Sequence, residues 1–254
     1  MDEYIQFARQ LADASAEIIK KYYRTNVKVD EKADLSPVTI ADKQAEETMR
    51  TLIMESFPQH GILGEEFGVH NPHAEYQWVL DPIDGTKSFI TGTPLFGTLI
   101  ALLEQGHPIL GVINQPILGE YLLGANGKTW LNGQQVCVRP CASVEQATLL
   151  GSGVWDAHKF RTGAGFEKLS KRARMFRTWG DCHGYYLLAT GYADIMLDAM
   201  MSVWDIMALI PIVEGAGGKI TDWYGKSPLK GNSIVATNST LHDEVIRLLN
   251  EEIA

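Results

Sequence analysis

An apolar segment, Tyr76 to Leu80, runs directly into two aspartates, Asp81 and Asp84, within the short motif DPIDGT. An apolar run of this length bounded by turn residues reads as a buried strand. Pro82 fixes one backbone angle of the turn and Gly85 permits a sharp exit, so both acids are held at the strand end. Two carboxylates fixed so close repel each other. Their approach becomes favourable when a hard divalent cation neutralises them, and Mg²⁺ prefers carboxylate, carbonyl and water oxygens in octahedral geometry. Metal binding at the end of a buried strand is the economical explanation of the pair.

The remaining chain supplies helices before this strand and both element types after it. In DEYIQFARQLADASAEIIKKYY, Ile5, Ala8, Leu11, Ala12, Ile18 and Ile19 recur at helical spacing with acids near the start. A short extended segment, a loop from Asp34 to Pro37 and a second amphipathic helix ending before Pro58 follow. From Gly97 to Val138, β-branched and large apolar runs alternate with Gln-Gly, Leu-Gly-Glu and Asn-Gly turn signals, which predicts an antiparallel meander. Helix and strand then alternate. Strands are expected in ATLLGSGV, RMFRTWG, ADIMLDAM and GKITDW, and helices in GFEKLSKRA and DCHGYYLLATG. One helix is expected over WDIMALIPIVEGAGG, closed by glycines, and a last one over LHDEVIRLLNEEI behind Asn238-Ser239-Thr240. No internal repeat or linker interrupts the chain. It reads as one domain over 1–254, with tightly packed halves of approximately 1–140 and 141–254.

Composition narrows the class of function. With 254 residues and 45% hydrophobic content the chain can bury a sizeable core. The formal net charge is -9 and no Lys/Arg run is long enough to track phosphates along nucleic acid, which argues against duplex binding. No stretch of about 18 apolar residues supports a membrane span. The first residues form an amphipathic helix rather than a signal peptide, so a cytoplasmic location is expected. Cys137, Cys141 and Cys182 are odd in number and lie outside any C-x-x-C pair. They are expected as reduced, buried thiols, with zinc binding a remote alternative.

Four acidic clusters stand out: Asp42 in TIADK, Glu65-Glu66 in GEEFG, Asp81 with Asp84, and Asp205 in SVWDIMAL. Each has an ordinary reading. Thr39-x-x-Asp42 and Ser202-x-x-Asp205 fit helix capping boxes, Asp84-Gly85 is a common turn, and a Glu pair beside glycine suits a solvated loop. The chemical reading joins them. Gly85 and Thr86 open a helical turn whose amides face an anion beside the metal, and phosphate fits there. A metal pair polarises phosphoryl oxygens, lowers the pKa of a water and stabilises the leaving alkoxide. The D-x-D, Cys-loop-Arg and R-H-G signatures of other phosphatases are absent, as is a G-x-x-x-x-G-K-[ST] nucleotide loop.

The DPIDGT turn, the upstream GEE and the downstream WD with a helix ending in EGAGG resemble the inositol monophosphatase superfamily over nearly the whole chain. The resemblance implies an α+β fold, a layered α-β-α-β-α sandwich, and commonly a homodimer. It implies Mg²⁺, two or three ions per site, held by Glu65, Asp81, the carbonyl of Ile83, Asp84 and Asp205, with Asp81 bridging. Thr86, supported by Asp42, would orient the attacking water, Glu66 would act from behind the ligands, and the Gly85 and Thr86 amides would hold the phosphate. Water then attacks phosphorus directly, without a phosphoenzyme.

The continuation DGTKSF and the WGDCHGY segment are similar to the histidinol-phosphate phosphatases of this superfamily. Asp181 supplies a carboxylate where many inositol phosphatases carry small neutral residues, and an extra acid favours a cationic substrate. L-histidinol phosphate is therefore the expected substrate, with Asp181 and Asp198 pairing its ammonium or imidazole and Arg177 organising that wall. The plain readings are a helix N-cap for Asp181 and a strand-end turn for Asp198. His183 offers a ring for stacking, although a structural role is simpler. Lys32 and Lys87 offer charge to phosphate, solvation being the simpler reading, and Trp204 is expected in the core. Inositol monophosphatase or broad sugar-phosphate phosphatase activity is the alternative with identical chemistry. A non-catalytic regulatory protein on the same fold is the other.

Overall fold

The computed structural model describes residues 1–32, 36–161 and 163–251. The first half contains α1 (Asp2–Tyr22), β1 (Val29–Glu31), β2 (Pro37–Thr39), α2 (Ile40–Ser56), β3 (Gly61–Gly64), β4 (Gly68–His70) and β5 (Tyr76–Asp84). After them come α3 (Thr86–Ile90), β6 (Gly97–Glu104), β7 (His107–Gln115), β8 (Glu120–Ala125), β9 (Lys128–Leu131) and β10 (Gln134–Val136). The second half contains β11 (Thr148–Gly151), α4 (Asp156–Phe160), α5 (Gly163–Arg172), β12 (Met175–Arg177), α6 (Asp181–Ala189) and β13 (Ile195–Asp198). It closes with α7 (Val203–Ile206), α8 (Leu209–Gly215), β14 (Gly218–Thr221), β15 (Ile234–Asn238) and α9 (His242–Asn250).

Alternation of side chains along each strand builds the layers. On β5, Trp78 and Leu80 join Phe7 and Leu11 of α1 and Met49 and Ile53 of α2 in one cluster. Val79 belongs to the opposite face, where it meets Leu99 and Ala101 of β6, Tyr185 and Leu188 of α6 and Leu209 and Ile212 of α8. Leu150, Met196 and Ile234 of the second sheet close that middle cluster from the far side. Their neighbours Leu149, Ile195 and Val235 pack instead on Phe166 of α5 and on Val245 and Leu248 of α9. Helix, sheet, helix, sheet and helix therefore follow one another, the expected α+β sandwich.

The eight-stranded sheet has the order β10-β9-β8-β7-β6-β5-β3-β4 and the five-stranded sheet the order β12-β11-β13-β15-β14. Neighbours from β5 to β10 pair antiparallel, as the meander predicts. β5 itself runs on past Leu80 to Asp84, with a register shift between Asp81 and Asp84. Pro82 has no N–H to give the ladder, so the shift falls where the strand cannot pair regularly.

Several elements differ from expectation. The short β3 and β4 and the helix α4 carry too few residues for a periodic signal. β15, with buried Ile234, Val235 and Ala236, fills the segment expected only as a lead-in to the last helix. Its Asn238 ends the strand and accepts the Leu241 N–H at 3.0 Å. The single helix expected over WDIMALIPIVEGAGG is divided into α7 and α8. Pro211 cannot donate to the Met207 carbonyl, which breaks the ladder there. Of the cysteines expected to be buried, only Cys182 is so; Cys137 is exposed and Cys141 half-buried. Asp34, within the expected loop before Pro37, and Glu252 and Ile253, at the end of the expected last helix, lie outside the described residues. No helix of the described residues is long and apolar enough to cross a membrane.

Candidate active site

The shifted end of β5 delivers Asp81 and Asp84 to a cleft of about 520 Å³ beneath the start of α7. Asp81 is 2% exposed. Its Oδ1 has no hydrogen-bond partner among the described residues. Asp84 Oδ2 accepts the backbone N–H of Cys182 at the head of α6. Asp205 sits in the first turn of α7, where its Oδ2 accepts the Ser202 N–H at 2.7 Å and completes a capping box. One oxygen from each of the three acids lies within 4.8 Å of the others. The capping role and the cluster coexist because a carboxylate has two oxygens.

Asp42 repeats that division of labour. Its Oδ2 accepts the Thr39 N–H at 2.8 Å and the Thr39 hydroxyl at 2.7 Å, capping α2. Its Oδ1 lies 3.5 Å from Thr86 Oγ1, which also donates to the Ile83 carbonyl at 3.0 Å. Gly85, with φ +90°, turns the chain between Asp84 and Thr86, and a Cβ there would stand 3.1 Å from Asp181 Oδ2. The angle favours glycine, and the space beside it is tight.

Electrostatics set the acids of the cluster against one another. Burial, then the neighbouring Glu65, Asp84 and Asp205, push the Asp81 carboxyl well above the usual carboxylate range. Burial, Asp181 and Asp205 do the same to Asp84 against the opposing Cys182 amide. Asp205 is pushed up to about 7, chiefly by burial and against the Ser202 hydrogen bond. Such acids are satisfied either by protons or by a cation. An orphaned buried oxygen, a set of hard oxygen donors and the absence of thiolate or imidazole from the cluster fit Mg²⁺ rather than zinc.

The sequence model of the inositol monophosphatase family matches residues 1–254. The chain belongs to the inositol monophosphatase family. It is a phosphatase of that family, whose members depend on metal ions. Among similar proteins are the bifunctional phosphatase IMPL2, chloroplastic, of Arabidopsis thaliana, 43% identical over 98% of this chain and 75% of that one. A histidinol-phosphatase of Chlorobaculum parvum is 38% identical over 95% of each chain. The solved inositol monophosphatase of Zymomonas mobilis superposes with a TM-score of 0.88 at 39% identity, covering 98% of both chains.

Within this family fold the other expected residues take distinct places. Glu65 lines the cleft, and Lys32 Nζ donates to Glu65 Oε1 at 2.7 Å and to Glu66 Oε1 at 2.6 Å. Lys32 is thus not the solvated lysine of the simpler reading. Burial lowers its pKa, but the two glutamates outweigh that and hold it charged. Lys87 lines the cleft beside Asp181. Trp204, expected in the core, packs against the middle cluster and also lines the cleft.

Asp181 lines the cleft as well, but not as an N-cap: that position is Gly180, and Asp181 is the first residue of α6 with φ +51°. Its N–H donates to Ser152 Oγ at 2.7 Å. Burial raises its pKa against the opposing Lys87 charge. Asp198 is not among the residues lining the cleft. It accepts the Ser152 N–H at 3.1 Å and the Tyr185 hydroxyl at 3.0 Å, and burial pushes it up to about 7. Arg177 ends β12 exposed, donating to the Phe176 carbonyl at 2.7 Å, away from the lining residues. His183 is bonded to Gln115 at 2.8 Å and stacked on Tyr186, the structural role. Sequence reasoning missed Ser152, Tyr185 and Glu46. For Glu46 a signal existed, since it lies four residues after Asp42 on the same helix face.

Proposed function

We propose that this phosphatase hydrolyses L-histidinol phosphate to L-histidinol and inorganic phosphate, with Mg²⁺ as cofactor. The observation that carries the reading is the Asp181 carboxylate on the cleft wall, 3.1 Å from where a Gly85 side chain would begin. A negative wall beside the phosphate position suits an alcohol bearing a cation and disfavours a neutral polyol. The similarity to a histidinol-phosphatase over 95% of the chain supports it.

On this reading Glu65, Asp81, the Ile83 carbonyl, Asp84 and Asp205 hold two or three Mg²⁺ ions. When bound, the metal supplies Lewis-acid polarisation of the phosphoryl oxygens and a water of lowered pKa. The Gly85 and Thr86 amides hold the phosphate. Thr86 Oγ1 and Asp42 Oδ1 orient the attacking water, with Asp42, pushed up to about 6 by burial against the Thr39 hydrogen bonds, placed to accept a proton. Glu66 keeps Lys32 beside Glu65. Asp181 pairs with the ammonium or imidazole of the alcohol, and Asp198 acts behind it through Ser152. The chain works as one domain of two packed halves joined near residue 140, as a cytoplasmic homodimer.

The test is turnover of a panel: histidinol phosphate, myo-inositol 1-phosphate and fructose 1,6-bisphosphate. We expect kcat/KM for histidinol phosphate to exceed the others by roughly tenfold or more, and Asp181→Asn to remove most of that margin, consistent with about 1.4 kcal/mol per tenfold. Preference for either of the other two esters would overturn the assignment.

A further inference from the structure

The turn after β3 carries Glu65 into the cleft with Glu66 beside it, yet short turns do not hold carboxylates still by themselves. Here the turn is tied to α2 by a buried acid. Glu46 is 0% exposed, and its Oε2 accepts the Glu66 N–H at 2.7 Å while its Oε1 accepts the Phe67 N–H at 3.1 Å. Arg50, one helical turn on, donates from Nη1 to Glu46 Oε1 at 3.2 Å and to the Gly68 carbonyl at 2.9 Å. The carboxylate sits so close to the chain that a Cβ on Gly64 would fall 1.9 Å from Glu46 Oε1. Gly64 is therefore required by the carboxylate rather than by backbone angle.

We infer that Glu46 is a positioning residue that fixes the Glu65–Glu66 turn against α2 before any metal arrives. The inference rests on the reading of Glu65 as a metal ligand. Asp42 and Glu46 are four residues apart on one helix, so α2 sets the water-orienting acid and the ligand-bearing turn as one rigid unit. Glu46 touches neither substrate nor reacting atoms; it acts through Glu65. Charge-assisted bonds from two amides and a guanidinium suit the task, because they are stronger and more directional than neutral ones.

Two substitutions disturb the clamp in different ways. Glu46→Gln keeps the shape but removes the charge and turns an N–H₂ toward a donor. Gly64→Ala leaves Glu46 intact and drives its carboxylate aside. Binding of Mn²⁺ alone to each variant, read by the electron paramagnetic resonance signal of the free ion, is expected to weaken about tenfold, as for partners that support metal ligands. Ile53→Val, a core change on the same helix, serves as the structural control and should bind Mn²⁺ like the parent at a comparable loss of Tm. The inference is overturned if both clamp variants keep parental Mn²⁺ affinity, or if Ile53→Val weakens it equally. Asp84→Asn separates the two readings: lost Mn²⁺ binding there, with unchanged binding in the clamp variants, removes the clamp alone. Unchanged binding in Asp84→Asn removes the metal reading and the clamp with it. Should the clamp variants fail to fold, hydrogen exchange on the parent decides. The Glu66 and Phe67 amides should be protected in the metal-free protein, and free exchange there would overturn the inference.

Discussion

Asp194 is a buried acid and the Asp81–Asp84–Asp205 cluster a buried acid with two half-buried ones, but the fold treats them in opposite ways. Asp194, 1% exposed, receives Arg139 Nε at 2.7 Å and Nη2 at 2.5 Å, and the Thr148 N–H at 2.7 Å. Glu46 follows the same pattern with Arg50 and two amides. In the cluster, Asp81 retains a buried oxygen without a partner, and its charged neighbours are mostly other acids. The difference teaches that this chain pairs Asp194 and Glu46 with its own arginines and gives the cluster no such partner, as the proposed metal site requires. Burial of an acid alone does not identify a site; several acids converging without a protein cation, one with an unpartnered buried oxygen, mark a candidate.

The largest effect that would break or sharpen this contrast comes from exchanging one acid on each side. Asp84→Asn should lower phosphatase kcat/KM at saturating Mg²⁺ by at least about a hundredfold. It should leave the metal-free Tm equal or higher, because one repelling charge is gone. Asp194→Asn should do the reverse. It leaves Arg139 without its partner at a site where the arginine keeps 35% side-chain exposure. We expect a loss of about 2–3 kcal/mol, a fall in Tm of roughly 5–10 °C, and kcat/KM near parental at 25 °C. Equal stability losses in the two variants would erase the distinction.

A smaller effect is the pH dependence of the metal-free protein. Asp205 and Asp198 are pushed up to about 7, chiefly by burial, so the folded state holds protons that the unfolded chain releases near pH 4. Their stabilisation is complete below that unfolded value and is lost as pH rises through about 7. His183 and His242 work in the other direction. Both are lowered to about 4 by burial, so their contribution is present above 6.5 and is lost as pH falls through about 4. Between pH 6.5 and 7.5 the carboxylates dominate, and the metal-free Tm should fall as pH rises. Saturating Mg²⁺ should flatten that slope, and a slope indifferent to Mg²⁺ would contradict the proposed metal site.

The smallest effect belongs to an exposed pair. Lys171 and Glu167 are 2.9 Å apart with side chains 76% and 49% exposed. Lys171→Ala should move Tm by less than about 2 °C in thermal unfolding and leave turnover untouched. A larger change would mean that exposure does not separate the ion pairs of this protein as argued.

Much of the architecture was legible because it follows local periodicities. The helical spacing of Leu11, Ala12 and Ile19, the Asn-Gly turns of the meander and the capping boxes at Asp42 and Asp205 all depend on residues a few positions apart. The division of α7 from α8 was also encoded in Pro211, though the apolar pattern across it suggested one helix. β15 was missed because its short apolar run gives way to polar Thr237 and Asn238, which read as the start of the next element.

The sequence by itself determined the donor types, their order along the chain and the turn in which Asp81 and Asp84 stand. Spacing and residue chemistry suffice for that, since a strand end, a proline and a glycine act within a few residues. Only the tertiary structure decided which acids face one another and which residues support them. Lys32 between Glu65 and Glu66, Glu46 beneath that turn, and Asp198 behind Ser152 rather than on the cleft wall are contacts between residues 20 to 46 positions apart. Such contacts arise from packing of one layer on the next, and no local pattern of residues records where two layers will meet.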